Sequence, residues 1–284
     1  MAGKVHIGYG FHVNCYHSYR GDSNDELGFG GDIRIIRKII SILDEFNRRG
    51  VPAKATWDFE NAYSLEDTLP RYAPDIIEDV RRRCVENGDE NIIMGYNNGA
   101  LSAMTPDEFE ASIEWAVTNE KGSGLVDLFG SCERIVRPQE VMFTPSQVPL
   151  YHKCGVKAVC LYYSCVPFDA FRTVVPQLRD EYAFNPVTYT WQGESLVILP
   201  TYSNSDVIDA GSLRYLACDL HRKQLAGEIQ NDVFIFINMD ADAILWEPLE
   251  LPFPLNRIAN TDGIRGLVQE VADLDFVVFD TPGG

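Results

Sequence analysis

The chain has 284 residues, 42 of them acidic and 24 basic, for a formal net charge of −18. With 45% hydrophobic and 23% charged residues the composition is that of a globular protein of one or two domains. Nucleic acid is excluded as a partner, because phosphate backbones are gripped by clustered lysine and arginine. No run reaches the roughly 20 apolar residues of a membrane span.

Residues 4–14 alternate apolar side chains at Val5, Ile7, Tyr9 and Phe11, which predicts a strand. Residues 32–50 then place Ile33, Ile36, Ile40 and Leu43 at helical spacing, with Asp32 as the N-cap and Gly50 closing the helix. A second strand is predicted over 52–60 and its helix over 73–88. The third strand, 91–98, is followed by a helix over 105–122, where Thr105, Pro106 and Glu108 form a capping-box start. A fourth strand is expected within 133–142, a short helix over 145–155 and a fifth strand over 156–166. Residues 183–191 and 195–203 read as a hairpin around Gln192-Gly193-Glu194. Next come a helix over 211–229, a nearly continuous apolar strand over 231–240, a helix over 262–274 and a last strand over 275–280.

Alternating strands and helices predict an α/β fold with a mainly parallel sheet. About seven units over residues 1–284 favour a single domain, an irregular (β/α)7-type barrel with a hairpin insertion. No G-x-G-x-x-G follows the first strand and no phosphate-binding G-x-x-x-x-G-K-[ST] occurs, so nucleotide sites of those kinds are not expected. The seven cysteines show neither C-x-x-C nor zinc spacing. Several, such as Cys160 and Cys165, lie in apolar runs. Residues 1–11 lack the long apolar core of a secretory signal, and a reducing, cytoplasmic setting is expected.

In parallel β/α folds the functional groups collect at the carboxyl ends of the strands. Those ends offer His12, Asn14 and His17, then Asp58 and Glu60, Asn97, Glu140, and finally Asp240 and Asp242. Carboxylates, amides, histidines and aromatics facing one cavity suit a polyhydroxylated ligand. Roughly one residue in seven is acidic, so about two or three carboxylates would fall at seven strand ends by chance. Context therefore decides. Glu140 lies between Pro138 and Pro145, where rigid turns hold a carboxylate in place. Asp240 ends an otherwise buried strand and needs a solvated or hydrogen-bonded mouth. The plain alternatives are a carboxylate bonded to nearby backbone for Glu140 and a cap or loop ion pair for Asp240. Two such acids about 5–5.5 Å apart across a sugar ring would make a retaining glycosidase.

At these residues the chain resembles glycoside hydrolase family 57 and, more loosely, the seven-stranded barrels of family 38 mannosidases and polysaccharide deacetylases. His12-Val13-Asn14-Cys15-Tyr16-His17 matches the family's His-rich strand end, keeping the first His but losing the second His and the Pro. Residues 138–145, followed by His152-Lys153-Cys154-Gly155-Val156-Lys157, resemble the nucleophile segment. Residues 238–247 resemble the acid/base segment without its Gly-His. The resemblance implies Glu140 as nucleophile, Asp240 as acid/base, Asp242 as a neighbouring acid and Trp246 as an aromatic wall. It implies retaining action on α-glucan-like or α-galactosidic oligo- or polysaccharides without metal or cofactor. Family members often carry a helical domain after the barrel, which the chain, ending at Gly284, is expected to lack.

His12 reads equally as a subsite residue or as a core histidine. His17, beside Tyr16 and Tyr19, reads as a loop or subsite residue. Asp58 and Glu60 share one face of a strand and read as pocket-lining or salt-bridging, whereas Trp57 points the other way into packing. Asn97 is a hydroxyl ligand or a turn residue, and Asn14 a further polar group at the mouth. Arg137 either holds Glu140 ionised or balances a surface acid. Two rival functions remain. One is a metal-dependent deacetylase or family 38-like mannosidase using His12, Asp58 and Asp240. The other is a non-catalytic sugar-binding barrel.

Overall fold

The computed structural model describes residues 3–15, 30–162, 179–203, 206–207, 211–248, 252 and 262–284. Its strands are β1 (Val5–Val13), β2 (Thr56–Phe59), β3 (Glu90–Ile93), β4 (Ile135–Val136), β5 (Ala158–Tyr162), β6 (Val187–Trp191), β7 (Glu194–Tyr202), β8 (Val233–Asp240) and β9 (Val277–Phe279). Seven of them, in the order β1-β2-β3-β4-β5-β7-β8, close into an all-parallel ring through the β8–β1 pairing. The irregular (β/α)7-type barrel is thus the observed fold. β9 runs beside Val5–Ile7 of β1, and β2 takes over that edge at Gly10–Val13.

The hairpin is more than an insertion. β6 lies outside the ring, antiparallel to β7, but β7 itself is a barrel strand between β5 and β8. Gln192 and Gly193 turn the chain with positive φ of 50° and 88°, the left-handed pair that matches hairpin twist.

Around the ring lie α1 (Gly30–Arg48), α2 (Leu69–Tyr72), α3 (Pro74–Glu86), α4 (Pro106–Val117), α5 (Leu125–Phe129), α6 (Val148–Lys153), α7 (Asp180–Ala183), α8 (Leu213–Leu225) and α9 (Gly263–Val271). Helix α1 starts two residues before the expected cap, so Asp32 sits in its first turn. The capping box at Thr105 and Glu108 forms as expected and starts α4. No helix among the described residues is long and apolar enough to cross a membrane.

Strand alternation builds two cores. Val5, Ile7, Tyr9, Phe11 and Val13 of β1 face outward into the large core shared with α1, where Ile33, Ile36, Ile39 and Leu43 are buried. Ile92, Ile135, Ala158, Cys160, Leu199 and Phe236 face inward and plug the barrel. Gly8 and Gly10 are the inward positions of β1. A Cβ at Gly8 would meet Phe234 at 2.9 Å, and one at Gly10 would meet Phe236 at 2.8 Å. Glycine there leaves room for the bulky inward side chains of β8.

A buried ion cluster ties this layer to the sheet. Arg83 on α3 is fully buried and donates to Asp89 at 2.8 Å, to Asp44 of α1, and to Asn47 at 3.0 Å. Asp89 in turn accepts from the Trp57 indole at 3.0 Å and from the Ala55 backbone.

Candidate active site at the barrel mouth

Above the apolar plug, the next inward positions of the strands are polar, and parallel register sets them side by side. His12 is paired in register with Asp58 on β2 and with Asp240 on β8. His12 and Asp58 are buried, and the Asp58 carboxylate accepts a short hydrogen bond from His12 Nδ1. That contact leaves His12 Nε2 as the acceptor edge of the ring, and it accepts from Asn14 Nδ2 at 3.4 Å. Asn238, opposite Gly10, uses the space the glycine leaves and donates through Nδ2 to Asp58 Oδ2 at 3.3 Å.

The far wall reaches across. β4 and β8 are separated by two strands on one side of the ring and three on the other. Even so, Arg137, the first residue after β4, sets Nη2 3.7 Å from Asp240 Oδ1. The same Nη2 lies 3.4 Å from the Tyr162 hydroxyl, which donates to the Asn238 carbonyl at 2.9 Å. Arg137 is buried, whereas the Asp240 carboxylate is 60% exposed at the mouth. Burial pushes the Arg137 pKa down, but the charges of Asp58, Tyr162 and Asp240 outweigh it and hold the guanidinium above its ordinary value. Arg137 thus pairs with an exposed acid at the mouth, Asp240. Because Ile135 faces inward, alternation turns Arg137 inward too, toward Asp58 and Asp240.

Three buried polar atoms of this assembly have no partner among the described residues: Arg137 Nε, Gln139 Oε1 and Asn238 Oδ1. Glu140 follows on the loop after β4 and is exposed, with Gln139 Nε2 3.4 Å from its carboxylate. Its backbone is left-handed (φ 51°, ψ 18°), and so is that of Val141 (φ 53°). Two consecutive non-glycine residues in this region, one of them β-branched, cost about 1–3 kcal/mol each and mark a loop held in place by its surroundings.

Other expected site residues fall elsewhere. Glu60 is fully buried, and its oxygens accept from the backbone of Tyr63 and Ser64, capping the π-helical turn Asn61–Thr68. Burial raises its pKa against the pull of those bonds. A carboxylate so occupied supports the loop and not a ligand. Trp246 is no wall of the mouth either. It packs edge-on against outward-facing Phe11 at 4.8 Å, and its indole donates to the Asp240 carbonyl at 2.8 Å. Asp242 is half-buried, and its charge acts on the buried Cys15 thiol. Asn97 lines a separate cleft with Tyr96 and Trp115. Tyr16, His17, Tyr19 and Cys165 lie outside the described residues.

Tyr162 and Asn238 were not foreseen. Period two would have found both, since Asn238 stands two residues before Asp240 and Tyr162 two after the inward Cys160. As for a metal, Asp58 holds His12 by Nδ1, so His12 Nε2 and Asp240 are the donors of the named set that face the mouth. Among the described residues no group of three or more His, Cys, Asp or Glu could hold an ion.

No family model matches the sequence, and no curated protein matches it. Solved structures do. A 4-alpha-glucanotransferase from Thermococcus litoralis superposes with a TM-score of 0.68 at 14% identity, covering 99% of this chain and 40% of that one. A GH57 branching enzyme from Thermococcus kodakaraensis gives 0.66 at 10% identity, over 100% of this chain and 70% of the other. A putative polysaccharide deacetylase from Mycobacterium smegmatis gives 0.58 at 15%, over 98% and 87%. The chain thus shares the barrel fold of GH57 enzymes and of this deacetylase, and spans less than half the length of the glucanotransferase.

Proposed function

We propose that the chain is a carbohydrate-active enzyme, a retaining glycoside hydrolase or transglycosylase acting on an oligo- or polysaccharide at the barrel mouth. The observation that carries this reading is the meeting of opposite walls. Arg137 from the end of β4 lies 3.7 Å from Asp240 at the end of β8, and Glu140 follows three residues later on a strained turn. The fold shared with a 4-alpha-glucanotransferase and a GH57 branching enzyme supports carbohydrate as the substrate class.

In this reading Glu140 attacks the anomeric carbon while Asp240 gives its proton to the departing glycosidic oxygen, leaving a glycosyl ester on Glu140. Asp240, now ionised, takes the proton of an incoming water or sugar hydroxyl. The oxygen of that group displaces Glu140 and restores both acids. Water yields hydrolysis, and a sugar hydroxyl yields transfer. Arg137 stabilises the Asp240 carboxylate that forms once its proton has left, and Asp58 holds the His12 ring so that Nε2, with Asn14, meets sugar hydroxyls. The cysteines of the described residues are all unpaired, which supports a reducing, cytoplasmic setting.

Mass spectrometry after exposure to a panel of 2-deoxy-2-fluoro glycosyl fluorides, α-gluco and α-galacto among them, tests this. A glycosylated peptide containing Glu140 is expected. Labelling at another residue, or undiminished turnover in Glu140→Gln, overturns the assignment.

A further inference from the structure

The cleft between the loop after β3 and helix α4 lies apart from the barrel mouth and has a chemistry of its own. It encloses about 480 Å3 and is lined by Tyr96, Asn97, Ala100, Met104, Ala111 and Trp115, among others. Trp115 is 54% exposed, although α4 otherwise buries its apolar side chains such as Phe109 and Ile113. Tyr96 stands edge-on to the indole, with centroids 5.5 Å apart and planes at 81°. Tyr96 is itself fixed, because its hydroxyl donates to Glu66 at 2.6 Å and Lys121 Nζ lies 3.0 Å from it. The indole is therefore a braced flat surface and not a loose side chain.

The rim supplies polar groups. The Asn97 amide and the Trp115 N–H have no hydrogen-bond partner among the described residues. Glu108 lies on the same rim, held by its capping box: Oε2 accepts from the backbone and hydroxyl of Thr105, and Oε1 stays open. An exposed indole face over a floor of small residues, bordered by an amide and a carboxylate, fits the C–H face and the hydroxyls of a neutral sugar ring. The carboxylate of Glu108 and the net charge of −18 disfavour acidic sugars and phosphates. Position adds to the argument. Ser102, on the loop that bounds the cleft, donates to Met142 Sδ at 3.9 Å, two residues past Glu140.

We propose that this cleft is a second glycan-binding site, which takes a stretch of neutral oligosaccharide on Trp115 beside the mouth. The choice of ligand class rests on the carbohydrate-active reading, and the test separates the two. The chain has four tryptophans, so protein labelled with 5-fluorotryptophan gives four 19F resonances, assigned by single Trp→Phe replacements. Trp115 reports on the cleft. Glycosylation of Glu140 by the fluorinated sugars reports on the mouth.

Titration with maltoheptaose, cellohexaose and chitohexaose is expected to shift the Trp115 resonance with at least one of them. Ala111→Leu, which fills the floor, should weaken that response at least tenfold while the circular dichroism spectrum stays unchanged. A Trp115 response without glycosylation of Glu140 upholds the cleft and counts against the mouth. A silent Trp115 with all three sugars overturns the cleft whatever happens at Glu140, and so does a response that survives Ala111→Leu undiminished.

Discussion

Replacing Glu90 by glutamine makes the protein more stable at pH 8 and leaves it nearly unchanged at pH 5. Glu90 opens β3, and its carboxylate oxygens both accept from the backbone N–H of Gly283 at 3.1 Å, on the segment that follows β9. Burial raises its pKa; the Thr281 and Gly283 bonds oppose this, Glu133 and Asp280 reinforce it, and the outcome is about 7 in place of 4.5. A carboxyl so placed costs about 3 kcal/mol when ionised. The sign follows from linkage. The folded state binds this proton more tightly than the unfolded chain does, so its contribution is full below pH 4.5 and is lost as pH rises through about 7. Glutamine keeps an acceptor for Gly283 and carries no charge to bury. Thermal melts of both proteins at pH 5 and pH 8 measure the effect, and their difference cancels every other titrating group. At pH 8 the variant should gain up to about 3 kcal/mol, or roughly 5 °C in Tm. Equal differences at the two pH values, or a less stable variant at pH 8, would refute the reasoning.

Glu140→Ala should abolish turnover while leaving melting temperature and sugar affinity close to wild type, as read by calorimetry on the purified protein. Gly10→Ala should cost about 1–3 kcal/mol, because the added methyl overlaps Asn238 and meets Phe236 at 2.8 Å. Urea unfolding checks that figure, and the variant should also lower activity by pushing Asn238 off Asp58. Arg83→Met leaves Asp89 and Asp44 facing a lost cation and should cost about 3–5 kcal/mol in the same assay; a neutral result would show the cluster to be dispensable.

Much of the barrel is written in side-chain period, and its gaps have physical causes. β8 is apolar on both faces from Val233 to Ile237 because one face meets the helices and the other meets the plug. That makes it legible as a fully buried strand. β4 is only two residues long, too short to show a period, and is recognised only by its place between neighbours. The turn Asn61–Thr68 carries no periodic stripe, since its stability comes from Glu60 accepting backbone N–H groups and from Ser64 accepting from the Cys15 backbone. No composition rule separates such a carboxylate from one that faces a ligand.

The mouth divides along the same line. His12 and Asp58 are recoverable from strand ends, because parallel register places neighbouring ends in one row and both side chains share the inward parity. Arg137 is not recoverable in that way. Its direction depends on Ile135 facing the plug, and that depends on the ring closing through β8 and β1. Trp246 shows the opposite failure. An aromatic residue six positions past a strand end is equally a wall or a wedge, and the choice is made by distant partners. Phe11 offers an edge at 4.8 Å, and Gly263, at φ 55°, lets the start of α9 approach the Trp246 carbonyl so closely that no Cβ would fit. Chemistry at the strand ends is thus a property of local sequence, but which side chains face the ligand is a property of closure. Altering the plug, as at Gly10, should therefore disturb the site as surely as altering the acids.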